Sequence, residues 1–271
     1  MPGIVININP VILAIGPFEL RWYSLAIMLA IVIGVMVAVR EAARKELPTG
    51  EIYSLLPWVL VSGIIGARLF HVVDQWSYYA GHPALILQIQ LGGLAIWGAL
   101  AGGGLAAIIY AIVRHIPVWR LADILVPGII VAQIIGRFGC IINGDAAGGI
   151  TSLPWAFTYV HPDAMIAGNL YGLPTHPYPV YEMLWNSLVL LLLVRIRPAL
   201  ARDGLFTLGY LALYSAGRFA LSFVRQENTF FWGLQQSQIV ALAIFLVSVV
   251  VFIYWQRQGQ QGIDAERVSL R

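Results

Sequence analysis

The chain has 271 residues, 59% of them hydrophobic and only 11% charged, where an ordinary soluble domain carries roughly a quarter charged residues; that excludes a globule solvated by water alone. Its net charge of +3 is spread along the chain rather than gathered into a basic patch, so no nucleic-acid partner is expected. The single cysteine, Cys140, excludes an internal disulfide framework and any cysteine-rich metal site.

Apolar runs of about twenty residues recur from end to end, the length a helix needs to cross a hydrocarbon core roughly 30 Å thick. Backbone in lipid must close its own hydrogen bonds, so these runs are read as helices. The stretch from Met1 to Leu20 has no Lys or Arg ahead of its apolar part, and no cleaved signal peptide is expected. Spans are predicted at about Leu20 to Val39, Ile52 to Val73, Gly93 to Val113, Leu121 to Ile141, Val180 to Ile196, Leu205 to Phe223 and Ser237 to Trp255. The expectation is an all-α integral membrane protein with about seven transmembrane helices, forming a single domain over residues 1–271.

Lys and Arg in the short loops set the orientation. Arg40, Arg44 and Lys45 follow the first span, Arg114 and Arg120 the third, Arg195, Arg197 and Arg202 the fifth, and Arg257, Arg267 and Arg271 the last. All fall on one face if the spans alternate, so that face is cytoplasmic, with the N-terminus outside and the C-terminus inside. The loops from Asp74 to Gly92 and from Asn143 to Pro179 hold no Lys or Arg. The first, from Gln75 to Leu91, is read as an interfacial helix. The second, residues 143–179, carries five prolines and many aromatics and is read as an ordered external cap. Glycines at Gly63, Gly66, Gly92, Gly93, Gly98, Gly102, Gly103 and Gly104 are read mainly as close helix contacts.

Arg21, Arg68, Arg137, Arg218 and Arg225 depart from this charge pattern, each lying at the outer end of a span or within its outer half. An arginine at a helix centre costs on the order of 2.5 to 3.5 kcal/mol on insertion scales, so these residues require a reason. Snorkelling or pairing explains some, Arg21 and Arg225 most easily. The acids on that side are Glu19, Asp74, Asp145, Asp163, Glu182 and Glu227. Arg218 and Arg225 share a helix face with Ser222 between them, and Arg68 shares one with His71. Guanidinium is the group of choice for bidentate contact with phosphate. An anionic phosphate held at outer-leaflet depth accounts for the set.

The run Gly136-Arg137-Phe138-Gly139-Cys140-Ile141-Ile142-Asn143-Gly144-Asp145-Ala146-Ala147-Gly148 resembles the signature of the prolipoprotein diacylglyceryl transferases, G-R-x-G-N-x-x-N-x-E-x-x-G. Arg21-Trp22-Tyr23, Gly66-Ala67-Arg68, Gly92-Gly93, His176-Pro177 with Tyr181-Glu182, and Arg218-Phe219 with Arg225-Gln226 agree with the family in order, over nearly the whole chain. This chain departs from the pattern with Cys140 for Asn, Asp145 for Glu, Trp97 where many members carry a histidine regarded as catalytic, and Ser222 where glutamate is common.

The resemblance implies transfer of a diacylglyceryl group from phosphatidylglycerol to the lipobox cysteine of a prolipoprotein signal peptide, releasing glycerol 1-phosphate, in the bacterial cytoplasmic (inner) membrane with the active site toward the outer leaflet. Under it, Arg137 and Arg218 are phosphate clamps, Tyr23 orients, and Asn143 and Asp145 shape the headgroup pocket. Arg68, Gly148, His176, Glu182, Arg225 and Trp97 complete the expected substrate-binding set. No metal or cofactor is expected. The proton acceptor is left open among His71, His161 and His176, the right residue type on the right side. Cys140 is read as a small buried hydrophobe rather than a covalent nucleophile. An anionic-lipid transporter or flippase is the main rival; the repeated halves common in transporters are absent. A non-catalytic lipid-binding relative is a further alternative.

Overall fold

The computed structural model describes residues 3–16, 18–89, 92–200, 202–225 and 229–269. Met1, Leu91, Gln226, Glu227 and Arg271, named above, lie outside these ranges. Among the described residues the helices are α1 (Trp22–Arg44), α2 (Gly50–Asp74), α3 (Trp76–Gly81), α4 (Ile96–Val113), α5 (Val118–Asn143), α6 (Tyr178–Ile196), α7 (Leu205–Ser222) and α8 (Gln236–Ser269). The protein is therefore a mostly helical membrane protein, as its composition predicts. Six of these helices, α1, α2, α4, α5, α6 and α8, are long and apolar enough to cross a bilayer.

The exception among the long helices is α7, expected as the sixth span. It has 18 residues, and an unbroken run from Leu205 to Tyr210 is buried, followed by Ala212, Ser215, Gly217 and Ser222. A helix turned mostly toward protein can carry Tyr210, Tyr214 and Arg218 in place of lipid-facing apolar side chains.

The segment from Gln75 to Leu91 is not one helix. Helix α3 ends at Gly81, and a 3-10 turn runs Pro83–Leu87. Glycine is a poor helix former, and Pro83 drives His82 out of helical geometry, to φ −137° and ψ 58°. Both terminal helices outrun their predicted ends, α1 taking in Arg40 and Arg44 and α8 passing Trp255.

Short strands, unread in the sequence, order the chain between helices. Strands β2 (Val11–Ile15) and β3 (Phe18–Arg21) form an antiparallel hairpin that delivers Arg21 to the start of α1. Strand β1 (Ile4–Ile6) lies parallel to β4 (Phe157–Tyr159), and β4 pairs antiparallel with β5 (Pro174–Thr175). The 143–179 segment is thus ordered as part of a small sheet that includes the N-terminal strand. Strands β6 (Thr229–Phe231) and β7 (Leu234–Gln235) form a hairpin between α7 and α8. Runs of two to five residues are too short for alternation to register in the sequence.

The chain forms two compact units, one of residues up to Ala38 together with those from Asp123 onward, the other Val39–Ala122. In the second unit α2 lies directly on α4. A Cβ on Gly66 would overlap the Gly98 carbonyl, one on Gly98 the Gly66 carbonyl, and one on Gly102 the Ser62 carbonyl. These small residues let the two backbones touch. Arg114 and Tyr110, near the end of α4, both bond Glu51 at the start of α2, at 2.6 and 2.7 Å.

In the first unit α5, α6 and α7 share a core of Val126, Ile130, Val189, Leu193, Phe206 and Tyr210. The Trp185 indole donates to the Leu213 carbonyl at 3.0 Å and its ring fills the space left by Gly217, seating α6 on α7. The α7 N-terminus is held by buried Asp123 of α5, whose carboxylate accepts from the Gly204 and Thr207 amides at 2.9 Å each and from the Thr207 hydroxyl at 2.6 Å. At the other end, Gln235 donates to the Ser222 and Arg225 carbonyls. Both ends of the helix bearing Arg218 are thereby fixed.

Candidate active site

Helix α6 begins at Tyr178 just after Pro177, and its first two turns place Tyr178 and Glu182 four residues apart on one face, both buried. Glu182 is where the arginines meet. One carboxylate oxygen pairs with Arg137 of α5, and the other accepts from Arg218 of α7 at 3.1 Å and from the Tyr178 hydroxyl at 3.0 Å. Arg218 also bonds the Tyr178 hydroxyl. The guanidinium carbons of Arg218 and Arg225 stand 5.9 and 5.2 Å from the Tyr178 ring centroid. One carboxylate charge therefore stands between two guanidinium groups, with a third guanidinium on the same phenol. Arg137 further donates to the Cys140 sulfur at 3.6 Å. Its counter-ion is Glu182 rather than Asp145.

The outer turn of α5 extends the site. The Asn143 side-chain oxygen accepts from Arg21 at 3.3 Å, its amide reaches the Met165 sulfur, and its carbonyl receives the Met165 amide at 2.8 Å. Arg21 is itself paired with Glu19 at 2.7 Å. Tyr23 opens α1 against Gly139, where a Cβ would come 3.0 Å from the Tyr23 Cα, and it lies within electrostatic reach of Cys140, Asp145 and Arg137. Asp145 is exposed. It follows Gly144, whose positive φ of 81° turns the chain out of α5 beneath the Tyr159 ring. Burial pushes the Tyr159 phenol above its ordinary pKa, and the protonated hydroxyl donates to the Ile141 carbonyl at 3.0 Å.

Gly148 makes its close approach to His176 and Val224: a Cβ there would sit 2.7 Å from the His176 Cβ and from the Val224 carbonyl oxygen. The backbone weaves these together, with Gly148 donating to His176, His176 to Gly149, and Gly149 to Val224. The His176 ring Nδ1 lies 3.3 Å from the Tyr181 hydroxyl, which also accepts from the Trp155 indole at 3.0 Å. Ser222 is fully buried and donates back to the Arg218 carbonyl at 2.7 Å, so it adds no charge where the family commonly has glutamate.

Two expected residues belong to the other unit. Arg68 is 7% exposed, and its guanidinium donates to the carbonyls of Ile86, Gly92, Gly93, Leu85 and Gln88, at 2.5 to 3.5 Å. Those bonds occupy the five N–H groups of an arginine. Its role there is to fold the turn that leads into α4. Trp97 is the second residue of α4 and 40% exposed.

In the first unit the structure thus joins Arg137, Arg218 and Glu182 directly and sets Arg225 over the Tyr178 ring, while Tyr23 lies within electrostatic reach of Arg137, Asn143 is bonded to Arg21, and Gly148 and His176 meet in a separate backbone weave. Tyr178 was not singled out from sequence, although its four-residue spacing from Glu182 put both on one face.

The prolipoprotein diacylglyceryl transferase family model matches residues 10–254. The chain belongs to this family. A relative from Limosilactobacillus reuteri, a phosphatidylglycerol–prolipoprotein diacylglyceryl transferase by name, is 35% identical over 257 residues, covering 93% of this chain and 92% of its own. Relatives of the same name from Streptococcus agalactiae (34% identity; 93% of this chain, 97% of its own) and Listeria monocytogenes (35%; 91% and 90%) match comparably. Within the family, this chain places the signature arginine, Arg137, on the carboxylate that also holds Arg218.

Proposed function

We propose that the chain transfers the diacylglyceryl group of phosphatidylglycerol to the lipobox cysteine of a prolipoprotein, forming a thioether and releasing glycerol 1-phosphate, the first step of lipoprotein maturation. The observation that carries this reading is the convergence of Arg137 and Arg218 on Glu182, inside a helical membrane protein of this family. The substrate sulfur attacks the glyceryl carbon bonded to the phosphodiester, the carbon–oxygen bond breaks, and its electron pair leaves with the phosphate. The thiol proton is balanced by protonation of the released phosphate monoester. Negative charge grows on the phosphate as the bond breaks, and guanidinium groups fixed beforehand in a low-dielectric site stabilise it without reorganising. The same cations favour the thiolate over the thiol.

In this reading Arg137 and Arg218 clamp the phosphate, Glu182 and Tyr178 hold their spacing, and Tyr23 orients the lipid. Asn143, Asp145 and Arg225 border the headgroup, with Gly148 and His176 framing its wall. Arg68 acts as a positioning residue through its carbonyl bonds, and Trp97 offers its exposed ring to lipid. Seven spans, with α7 as the sixth, put the N-terminus outside, the basic loops in the cytoplasm and the site toward the outer leaflet of the bacterial cytoplasmic membrane.

The test incubates the purified protein with phosphatidylglycerol labelled in its acyl chains and a lipobox peptide. The expected result is label on the peptide cysteine together with release of glycerol phosphate. Transbilayer movement of the lipid without covalent transfer would instead select a lipid transporter.

A further inference from the structure

One helical turn deeper than the arginine–glutamate cluster, each of the three helices that build it presents another polar side chain to the same interior. Gln133 precedes Arg137 by four residues on α5, Asn186 follows Glu182 by four on α6, and Tyr214 precedes Arg218 by four on α7. Four residues advance a helix by about 6 Å and keep nearly the same face. For α5 and α7 this direction is supported independently, because the Gln133 amide donates to the Tyr210 hydroxyl of α7 at 2.9 Å and Tyr214 lies within electrostatic reach of Glu182, Arg218 and Arg137; on α6 it follows from the helical spacing and from the burial of Asn186.

Each of these side chains keeps a polar atom without a protein partner among the described residues. Asn186 is 3% exposed, and its side chain makes no hydrogen bond among the described residues. The Gln133 side-chain oxygen is buried without a partner. The Tyr214 hydroxyl likewise has no hydrogen-bond partner among the described residues; its ring instead leans on Tyr210 at 5.5 Å. A neutral amide or hydroxyl buried without a partner gives up its hydrogen bonds to water and gains none in return. The Gln133 oxygen is such a buried group, and one turn below the cluster on the neighbouring helices the Asn186 amide and the hydroxyl of the partly buried Tyr214 keep their hydrogen-bonding capacity for a polar guest.

Amides and a phenol carry no charge, so their layer is matched to hydroxyl groups rather than to phosphate, and it lies one turn from cations that suit phosphate. On the proposed function above, the lipid supplies both chemistries in one headgroup, a phosphodiester joined through a three-carbon glycerol to two free hydroxyls. We propose that Gln133, Asn186 and Tyr214 form a subsite for the hydroxyls of a polyol headgroup and so determine specificity for phosphatidylglycerol over phospholipids whose headgroups lack hydroxyls.

The test measures equilibrium binding of two lipids to the full chain in phosphatidylcholine nanodiscs: phosphatidylglycerol, and phosphatidylpropanol, which keeps the phosphodiester but has no free headgroup hydroxyl. Wild-type protein is expected to bind phosphatidylglycerol at least about tenfold more tightly, the equivalent of one or two hydrogen bonds. Asn186→Leu combined with Gln133→Leu should abolish that preference while leaving phosphatidylpropanol binding unchanged. Asn186→Leu replaces an amide that makes no hydrogen bond among the described residues, Gln133→Leu gives up only the bond to the Tyr210 hydroxyl, and the unchanged phosphatidylpropanol affinity reports a folded arginine site. Equal loss for both lipids, or a preserved preference, would overturn the proposal and leave water as the guest. Because binding is read without turnover, absence of transfer in wild-type protein would defeat the proposed activity and leave this result standing.

Discussion

At the residue scale, Glu182 is the hinge of the site. Its single charge stands between two guanidinium groups, so removing either arginine leaves Glu182 paired with the other, whereas removing Glu182 would leave both uncompensated. Arg137 retains exposure, about a quarter of its side chain, and has more donors than Glu182 and Cys140 occupy. Arg137→Ala should therefore leave a folded membrane protein, checked by gel filtration and circular dichroism, while transfer to a lipobox peptide falls by at least about a hundredfold, the scale for a lost charge-stabilising donor. Full activity would remove Arg137 from the mechanism. The Cys140 thiol is buried, packs with Ala146 and Tyr178, and only receives a long contact from Arg137. Cys140→Ala should keep most transfer activity in the same assay; a folded but inactive variant would bring that sulfur into the reaction. Arg137, Arg218 and Glu182 were all recognisable in the sequence as ionisable residues in apolar runs. That Glu182 is the shared counter-ion, and Arg68 a backbone clasp, was not, since a charge in a span announces its cost and not its partner.

At the element scale, the position of Arg218 depends on α7 being held at both ends. Asp123 takes three hydrogen bonds from the first turn of α7 in a buried site. Asp123→Ala should lower stability by about 1 to 3 kcal/mol, the sum expected for a lost helix cap and newly unmet amides, read as a fall in the thermal unfolding midpoint in detergent. An unchanged midpoint would show that α7 is fixed by side-chain packing alone. The helices themselves were legible because their apolar runs have span length. The hairpins and the small cap sheet were not, because strands of two to five residues carry too little pattern and β1 pairs with β4 across more than a hundred residues of intervening chain.

At the scale of the whole molecule, the basic residues of alternate loops predict which face meets the cytoplasm. In a Cys140→Ala background, Asp163→Cys should react with an impermeant maleimide added to intact cells, and Arg257→Cys only after permeabilisation; the reverse pattern would invert the topology. The sequence by itself determined the solvent, the span lengths and the charge asymmetry, because a bilayer converts position along the chain directly into polarity. Only the tertiary structure decided that α7, the least lipid-like of the long helices, is mostly buried in protein, that Arg137 and Arg218 meet on Glu182, and that Arg68 turns to backbone carbonyls. Those outcomes depend on how helices rotate and pack against one another, and each rotation is set by side chains far apart in the chain.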